Sequence, residues 1–219
     1  MDDAGQHVFE HNPTTPLAGA STQKLLTSTA LLLALGADAR LETSAVTIDE
    51  PSGGVVDGHL YMVGGGDALL ATRSWRDHFR RQPRTIDDVE QLAQAIVDAG
   101  VTRITGSVIG DASRYESTTY HPAWPRRFFD DREIGPIGGL MVNDGFASFP
   151  SAATPGAPTL PSTNVGADAA NILTLALRVR GVEVVGPPRS GRAPEGATEV
   201  ATMQSLPIRD VVAQMLTDS

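Results

Sequence analysis

Several features are missing from this sequence, and each absence excludes a class of protein. None of the 219 residues is cysteine, which excludes disulfide bonds, thiolate nucleophiles and cysteine-ligated zinc. Basic residues are outnumbered, with 17 Lys and Arg against 26 Asp and Glu, giving a formal net charge of −9. A nucleic-acid-binding protein needs a basic face to neutralise phosphates. We therefore expect no nucleic-acid partner.

Long apolar runs, a leader pattern and a metal-binding motif are also absent. The longest apolar run, Leu25 to Leu35, is interrupted by hydroxyl residues and falls short of the roughly 18 apolar residues that indicate a membrane span. The opening "MDDAGQHVFEH" lacks the basic and apolar regions of a signal peptide. The five histidines never occur at the HExxH spacing of zinc enzymes, so we expect no metal or other cofactor.

Lysine is the scarcest charged residue, since Lys24 is the only lysine among the 17 basic residues. It follows Ser21 by three positions, at the start of an apolar helix predicted from about Ser21 to Leu35 and ended by Gly36. Residues three apart lie on one helix face, about 5–6 Å apart at Cβ. A neutral lysine amine at that distance can take the serine proton and make the hydroxyl a nucleophile.

The surroundings of this pair are expected to help the chemistry. Free backbone N–H groups in the first helical turn can bind a developing oxyanion. A neutral lysine needs an apolar setting or a neighbouring cation. A stripe of leucines is expected to bury the helix and supply that setting: Leu25, Leu26, Leu31, Leu32 and Leu35. On spacing alone, an N-cap serine followed by an exposed lysine remains the alternative.

Helix and strand patterns alternate along the rest of the chain. A short strand is predicted in "HVFEH", and a second in "ARLETSAVTID". Helices are predicted in "TIDDVEQLAQAIVDAG", with Thr85 as N-cap, in "ADAANILTLALRVRG" and in "SLPIRDVVAQMLTDS". Two stretches rich in Pro and Gly, "SFPSAATPGAPTLPSTNVG" and "PPRSGRAPEG", predict long loops and suggest that the middle of the chain is an insertion.

"PLAGASTQKLLTSTALLLALGADARLET" resembles the active-site helix of D-alanyl-D-alanine carboxypeptidases of the penicillin-binding protein 4 type, peptidase family S13. Other stretches resemble the family in the same order. They are "VFEHNPTTPL" before that helix, "DGHLYMVGGGDALL" with its Gly-Gly-Gly-Asp, "VTRITGSVIGDASRYE", and "QSLPIRDVVAQMLTDS" before the second motif. The resemblance covers nearly the whole chain.

The resemblance implies an α+β protein with a β-lactamase/DD-peptidase-like serine transpeptidase fold, incomplete here, and a large inserted α/β domain. Residues 1–43 would form the first part of the transpeptidase domain, with the Ser-x-x-Lys helix. Residues 44–163 would form the inserted domain. Residues 164–219 would return to the transpeptidase domain and stop at the start of the Ser-x-Asn motif.

The family's roles carry over to three positions. Ser21 would be the acylated nucleophile, Lys24 its general base, and Ser219 the first residue of Ser-x-Asn. Such sites also use a Lys-Thr-Gly motif. Because Lys24 is the only lysine, that motif cannot occur within these 219 residues. We therefore expect a fragment of a longer enzyme, with little or no hydrolytic activity of its own.

The function implied is serine-type D-Ala-D-Ala carboxypeptidase activity, with endopeptidase activity left open. The substrates would be peptidoglycan stem peptides outside the cytoplasm, in the periplasm or cell-wall space. β-Lactams would acylate the same serine, and no cofactor is implied. One alternative is a non-catalytic cell-wall-binding or interaction module derived from the family. A β-lactamase is disfavoured because compact β-lactamases lack so large an insertion.

Three other patterns invite a functional interpretation that we do not favour. "STN" at Ser162 to Asn164 fits Ser-x-Asn, but it lies in the Pro-rich stretch and is interpreted as a decoy. "GGGD" at Gly64 to Asp67 lacks the Lys-Ser/Thr of a phosphate loop and is interpreted as a turn. "HPAWPRRFF" fits either an exposed aromatic recognition patch or a packed loop, and the packed loop is preferred.

Overall fold

The computed structural model describes residues 3–12, 14–16, 18–116 and 119–217. Helices are distributed along the whole of this described chain. They are a 3₁₀ turn at Ala20–Thr22, α1 (Gln23–Leu35), α2 (Arg73–His78), α3 (Glu90–Asp98), α4 (Arg127–Asp130), a 3₁₀ turn at Asn143–Gly145, α5 (Val165–Val179) and α6 (Ile208–Thr217). Helices α1, α5 and α6 lie where the sequence predicts them. Gly36, with φ of 88°, ends α1 as expected.

The strands are short and alternate with these helices. They are β1 (Glu42–Thr47), β2 (Val55–Val56), β3 (Leu60–Val63), β4 (Leu70–Ala71), β5 (Asp87–Asp88), β6 (Arg103–Ile104), β7 (Val108–Asp111), β8 (Phe146–Ser148), β9 (Leu160–Pro161), β10 (Glu183–Val184), β11 (Arg189–Ser190) and β12 (Thr198–Gln204). The mixture of elements is the α+β composition that the sequence predicts.

A mixed five-stranded sheet forms the centre, in the order β11-β7-β3-β1-β12. Strand β1 is antiparallel to both β12 and β3, whereas β7 is parallel to β3 and to β11. A smaller parallel sheet has the order β10-β6-β2, and the pairs β4–β5 and β8–β9 complete the pairing. The sheet therefore joins strands from early and late parts of the chain, while the domain boundaries proposed above stay a prediction.

The core lies between the central sheet and helices α3 and α5. Helix α5 packs on β7 and β11, and α3 packs on β12 and on α5. The fully buried side chains include Leu60 and Met62 from β3, Leu92 and Ile96 from α3, and Leu173 from α5. Their alternation in β3 and their three- to four-residue spacing in the helices place them on the inner faces.

Helix α1 is held mainly by α6, and its burial differs from the prediction. Leu25, Leu26 and Leu35 are exposed, Leu33 is 83% exposed, and only Ser28 is buried along the helix. The leucines surround most of the helix circumference, so one neighbouring helix cannot cover them all. The expectation that the leucine stripe buries α1 is therefore wrong for this chain.

Two further predictions about local structure are wrong. Residues 7–11 form no strand, because no segment in the described part of the chain pairs with them. Val8 and Phe9 are accordingly exposed. Thr85 is not the N-cap of α3, which begins at Glu90. Asp87 and Asp88 instead pair with β4, because tertiary pairing overrides the local helix preference.

Among the described residues, no helix is both long and apolar enough to cross a bilayer.

Candidate active site

Ser21 lies in the 3₁₀ turn that leads into α1, and its side chain is exposed. Ala20, immediately before it, has φ of 44°, a left-handed conformation that is uncommon for a residue with a Cβ. Backbone strain of this kind costs about 1–3 kcal/mol and clusters at functional sites. The turn thus projects the serine hydroxyl from a bend in the chain rather than from the middle of a helix.

Lys24 occupies the first turn of α1, and its half-buried side chain reaches across to α6. Its Nζ donates a hydrogen bond to the carbonyl oxygen of Met215, at 3.2 Å. Among the described residues, no hydrogen bond joins the Lys24 amine to the Ser21 hydroxyl. Ser21 lies in the 3₁₀ turn and Lys24 in the first turn of α1, so their pairing stays a prediction, and the amine is anchored to the last turn of α6.

Some backbone groups around Ser21 already make hydrogen bonds within the turn. The N–H of Thr22 donates to the carbonyl of Gly19 at 3.0 Å, and the Thr22 hydroxyl donates to the same oxygen. The Thr22 N–H is therefore not free for an oxyanion in this conformation. Ser28, one turn further along α1, donates from Oγ to the carbonyl oxygen of Lys24 at 2.7 Å.

Ser219 is the third predicted site residue and the first residue of the expected Ser-x-Asn motif. It lies outside the described residues, as does Asp218. Helix α6 ends at Thr217, two residues before it. Its assignment to the site stays a prediction. The described structure does place the end of α6 against Lys24, through Met215.

Ser162 and Asn164, the literal Ser-x-Asn match, have structural partners. The Asn164 Oδ1 accepts the N–H of Ala167 at 3.1 Å and caps α5, while its Nδ2 donates to Ser190 Oγ at 2.8 Å. Ser162 is buried, and its Oγ accepts the Asn164 N–H at 3.0 Å. Asn164 therefore caps α5, and these contacts support the interpretation of this triplet as a decoy.

The Gly-Gly-Gly-Asp stretch is a close-packed turn. A Cβ on Gly65 would lie 1.9 Å from the backbone oxygen of Glu42, and one on Gly64 would lie 2.2 Å from that of Gly139. These positions accept only glycine because the backbones of neighbouring segments touch them. The stretch is therefore a tightly packed turn between β3 and β4, in line with the turn that the sequence predicts.

Sequence reasoning missed a buried carboxyl pair that this turn creates. Asp67 and Asp87 are both buried, and their carboxyl groups lie close enough to interact. Asp67 Oδ1 accepts the N–H of Leu69 at 2.8 Å, and Asp87 Oδ1 accepts that of Leu206 at 2.9 Å, just before α6. Burial, then the charge of Asp87, raises the pKa of Asp67 to about 7. The pair comes from distant positions, so no local sequence signal reveals it.

No cluster of three or more metal-ligating side chains occurs in the part of the chain that the structure describes. The arrangement around Ser21 offers a hydroxyl, an amine and the end of a helix. These are groups that serine acyl-transfer chemistry uses.

Solved structures show the same fold. The chain matches penicillin-binding protein 4 (DacB) of Haemophilus influenzae with a TM-score of 0.72 and 19% identity, over 95% of this chain and 55% of that one. A second structure of that protein, complexed with a novel β-lactam, matches with a TM-score of 0.58 and 19% identity, over 95% and 56%. The chain therefore has the fold of penicillin-binding protein 4.

Sequence comparison then gives the family. The model of the D-Ala-D-Ala carboxypeptidase 3 (S13) family matches residues 2–163. Carboxypeptidase Rv3627c of Mycobacterium tuberculosis is 31% identical over 98% of the chain, and carboxypeptidase DacB of Mycolicibacterium smegmatis is 32% identical over 99%. The chain belongs to the S13 family of D-Ala-D-Ala carboxypeptidases. It spans 43% and 44% of the lengths of these two relatives.

Proposed function

We propose that the protein carrying this chain is a serine-type D-Ala-D-Ala carboxypeptidase that acts on peptidoglycan stem peptides outside the cytoplasm. The observation that carries the proposal is the sequence pair Ser21 and Lys24, in the 3₁₀ turn and the first turn of α1 of a chain of the S13 family. Ser21 is the nucleophile and Lys24 the general base. Ser219 is assigned to the second motif.

The reaction follows from these roles. As the Ser21 Oγ attacks the carbonyl carbon of the penultimate D-Ala, the Lys24 amine takes its proton. The tetrahedral intermediate collapses, the C–N bond breaks, and the terminal D-Ala leaves as an amine after receiving that proton. Water then attacks the ester carbonyl and frees Ser21. A β-lactam carbonyl enters the same first step, and opening of its ring leaves the serine acylated.

The Lys24 amine must come within hydrogen-bond reach of Ser21 during this cycle. In the structure the amine donates to the Met215 carbonyl, and among the described residues it makes no hydrogen bond to the Ser21 hydroxyl. The other motifs of the family site would supply groups that hold the amine there. These 219 residues contain no second lysine for such a motif, and we propose that this chain alone is hydrolytically impaired.

The exposed leucines of α1 also fit this proposal. Leu25 and Leu26 follow Lys24 directly, Leu33 lies near the other end of α1, and all three are exposed, while the relatives are more than twice as long as this chain. We propose that the additional length seen in the relatives packs on these leucines in the full-length enzyme. Burial there would supply the apolar setting that lysine catalysis needs.

The test is release of D-Ala from a stem pentapeptide by a full-length protein that contains this sequence. We expect Ser21→Ala to abolish release and Lys24→Gln to slow it about 10²–10⁴-fold, the usual contribution of a general base. Ser113→Ala, a change at an exposed serine away from the turn, serves as the matched control and should leave the rate unchanged. Equal rates for Ser21→Ala and the control would contradict the proposal.

A non-catalytic cell-wall-binding module is the second candidate. It is favoured by the exposed Ser21 and by the Lys24 amine, which is bound to Met215 rather than to the serine. Binding of stem peptide by the full-length protein, without any D-Ala release or acylation, would support this candidate over the enzyme.

A further inference from the structure

An aromatic groove lies in the segment between β7 and α5, away from the Ser21 turn in the sequence. Its first part is a cavity of about 520 Å³ walled by Tyr120, His121, Trp124 and Phe129. Its second part is an adjoining cavity of about 500 Å³ that shares Tyr120 and Pro161 with the first. Each volume falls within the range of about 300–1,000 Å³ typical of ligand sites.

The aromatic walls are held in place by contacts with each other. Tyr120 meets Phe129 edge to face, with ring centroids 4.6 Å apart, and the His121 ring lies 6.4 Å from that of Trp124. The other side of Trp124 lines a separate apolar cavity with Trp75 and Phe146. Tyr120, Trp124 and Phe129 are half-buried, so their rings present fixed faces to the groove, while the His121 ring is exposed at its edge.

Polar groups with spare hydrogen-bonding capacity line the same walls. Within the described residues, neither the Tyr120 hydroxyl nor the Trp124 indole N–H has a hydrogen-bond partner. Arg126 and Asp130 form an exposed ion pair at the rim, with 3.6 Å between Nε and Oδ2. In the second cavity, Thr163 adds a hydroxyl group to the wall. Flat apolar faces bordered by donors and acceptors match a ligand whose rings have apolar faces and polar edges.

We infer that this groove binds the glycan strand of peptidoglycan, with one N-acetylated sugar ring in each of the two cavities. The C–H face of a pyranose stacks on Trp124 or Tyr120, while its hydroxyl and acetamido groups bond to Tyr120 Oη, Trp124 Nε1 and the Arg126–Asp130 pair. The glycan strand as the natural source of the sugar rests on the proposed function. A bound strand would carry its stem peptides on the same polymer, so the groove would concentrate substrate for Ser21.

The experiment titrates this 219-residue chain with a β-1,4-linked tetrasaccharide of N-acetylglucosamine, which carries no peptide. Of the two tryptophans, Trp75 is 4% exposed and Trp124 is only half-buried, so a shift of emission to shorter wavelength reports on Trp124. Calorimetry measures affinity for the variants. We expect Trp124→Ala to weaken binding at least tenfold and Tyr120→Phe about threefold to tenfold, the loss for one hydrogen bond.

Matched controls separate binding from folding and from catalysis. Phe9→Ala removes an exposed aromatic ring outside the groove and should leave the affinity unchanged. Tyr120→Phe removes one oxygen atom and should retain the fold even if Trp124→Ala does not, which far-UV circular dichroism checks. Ser21→Ala should bind the tetrasaccharide as the wild type does, so loss of catalysis and loss of glycan binding are distinguishable.

Three results would overturn the inference. They are no binding of the tetrasaccharide by the folded wild-type chain, equal binding by wild type, Trp124→Ala and Tyr120→Phe, or a Trp124 shift with a sugar-free stem pentapeptide and none with the tetrasaccharide. The last result would assign the groove to peptide. Tetrasaccharide binding that depends on Trp124, together with no D-Ala release by a full-length protein that contains this chain, would retain the carbohydrate site and reject the enzyme.

Discussion

Two buried carboxyl groups, those of Asp67 and Asp87, face each other beside the segment that enters α6. Burial is the largest cause of the raised pKa of both groups, and the charge of Asp87 adds to it at Asp67. The charge of Arg40 and the N–H of Leu206 act in the opposite direction on Asp87. Asp87 Oδ2 is buried and has no donor among the described residues. A proton shared with Asp67 relieves the repulsion between the two carboxyl groups.

This pair makes stability depend on pH. The folded-state pKa of Asp67, about 7, lies above the usual value of 3.8, so the folded protein binds this proton more tightly than the unfolded chain does. The resulting contribution to the unfolding free energy is fully present below pH 3.8 and is lost as the pH rises through about 7. Each pKa unit corresponds to about 1.4 kcal/mol, so we expect the wild-type unfolding free energy to fall by roughly 2–4 kcal/mol between pH 4 and 8 from this source.

Asp67→Asn tests that expectation. The amide can donate to Asp87 at every pH, so the fall in unfolding free energy above pH 4 should be largely removed, and the variant should be the more stable protein at pH 8. Urea unfolding at pH 4.5, 6 and 8 measures the effect. Asp131→Asn, at an exposed carboxylate, is the control and should follow the wild-type curve. A variant curve parallel to that of the wild type would contradict the shared proton.

From the sequence, two side chains could be related to each other only where they are close together in the chain. Ser21 and Lys24 are three positions apart, so helix geometry predicts them on one face, although Ser21 lies in the 3₁₀ turn just before α1. Asp67 and Asp87 are joined by the parallel pairing of β4 with β5, and Leu206 reaches Asp87 from much later in the chain. The contact of Lys24 with Met215 likewise depends on tertiary packing of α1 against α6.

At the scale of elements, α5 depends on the cap that Asn164 supplies to its first turn. We expect Asn164→Ala to lower the unfolding free energy by about 1 kcal/mol, whereas Asn164→Asp retains the cap and most of the stability. Thermal unfolding monitored by circular dichroism measures both.

The same variants test the interpretation of "STN" as a decoy. In a full-length protein, Asn164→Ala should leave acylation of Ser21 by benzylpenicillin unchanged. Loss of acylation in a folded Asn164→Ala protein would show that this triplet belongs to the active site.

The exposed face of α1 gives a second test at this scale. Leu33 is 83% exposed, whereas Leu173 in α5 is fully buried in the core. In this chain, Leu33→Ala should change the unfolding free energy by no more than about 0.5 kcal/mol, and Leu173→Ala should cost about 2–5 kcal/mol. Urea unfolding compares the two variants directly. A large loss for Leu33→Ala would show that α1 is packed more fully than the structure indicates.

Elements with strong periodicity were predictable, and weakly supported ones were not. Helices α5 and α6 have apolar residues at helical spacing and lie where expected. The start of α3 was misplaced because Asp87 and Asp88, good first-turn residues of a helix, are recruited into a strand by β4. The predicted strand at residues 7–11 has exposed apolar side chains and no pairing partner in the described chain.

At the scale of the whole molecule, the order β11-β7-β3-β1-β12 could not be predicted from the sequence. Each strand shows only which of its faces is buried, and register and neighbours are set by packing among distant segments. The mixed α+β class was predictable from the alternation of elements. The fold family was predictable from motifs that follow one another over nearly the whole chain. The proposed domain boundaries stay a prediction.

The central claim is that Ser21 is the acylated nucleophile of a penicillin-binding serine peptidase. Intact-mass spectrometry after incubation with benzylpenicillin, followed by peptide mapping, tests it most directly. The comparison includes the 219-residue chain, a full-length protein that contains it, and Ser21→Ala of each. We expect a penicilloyl adduct on Ser21 of the full-length protein, lost in Ser21→Ala, and little or none on the chain alone. An adduct that persists in Ser21→Ala, or none on the folded full-length protein, would contradict the account.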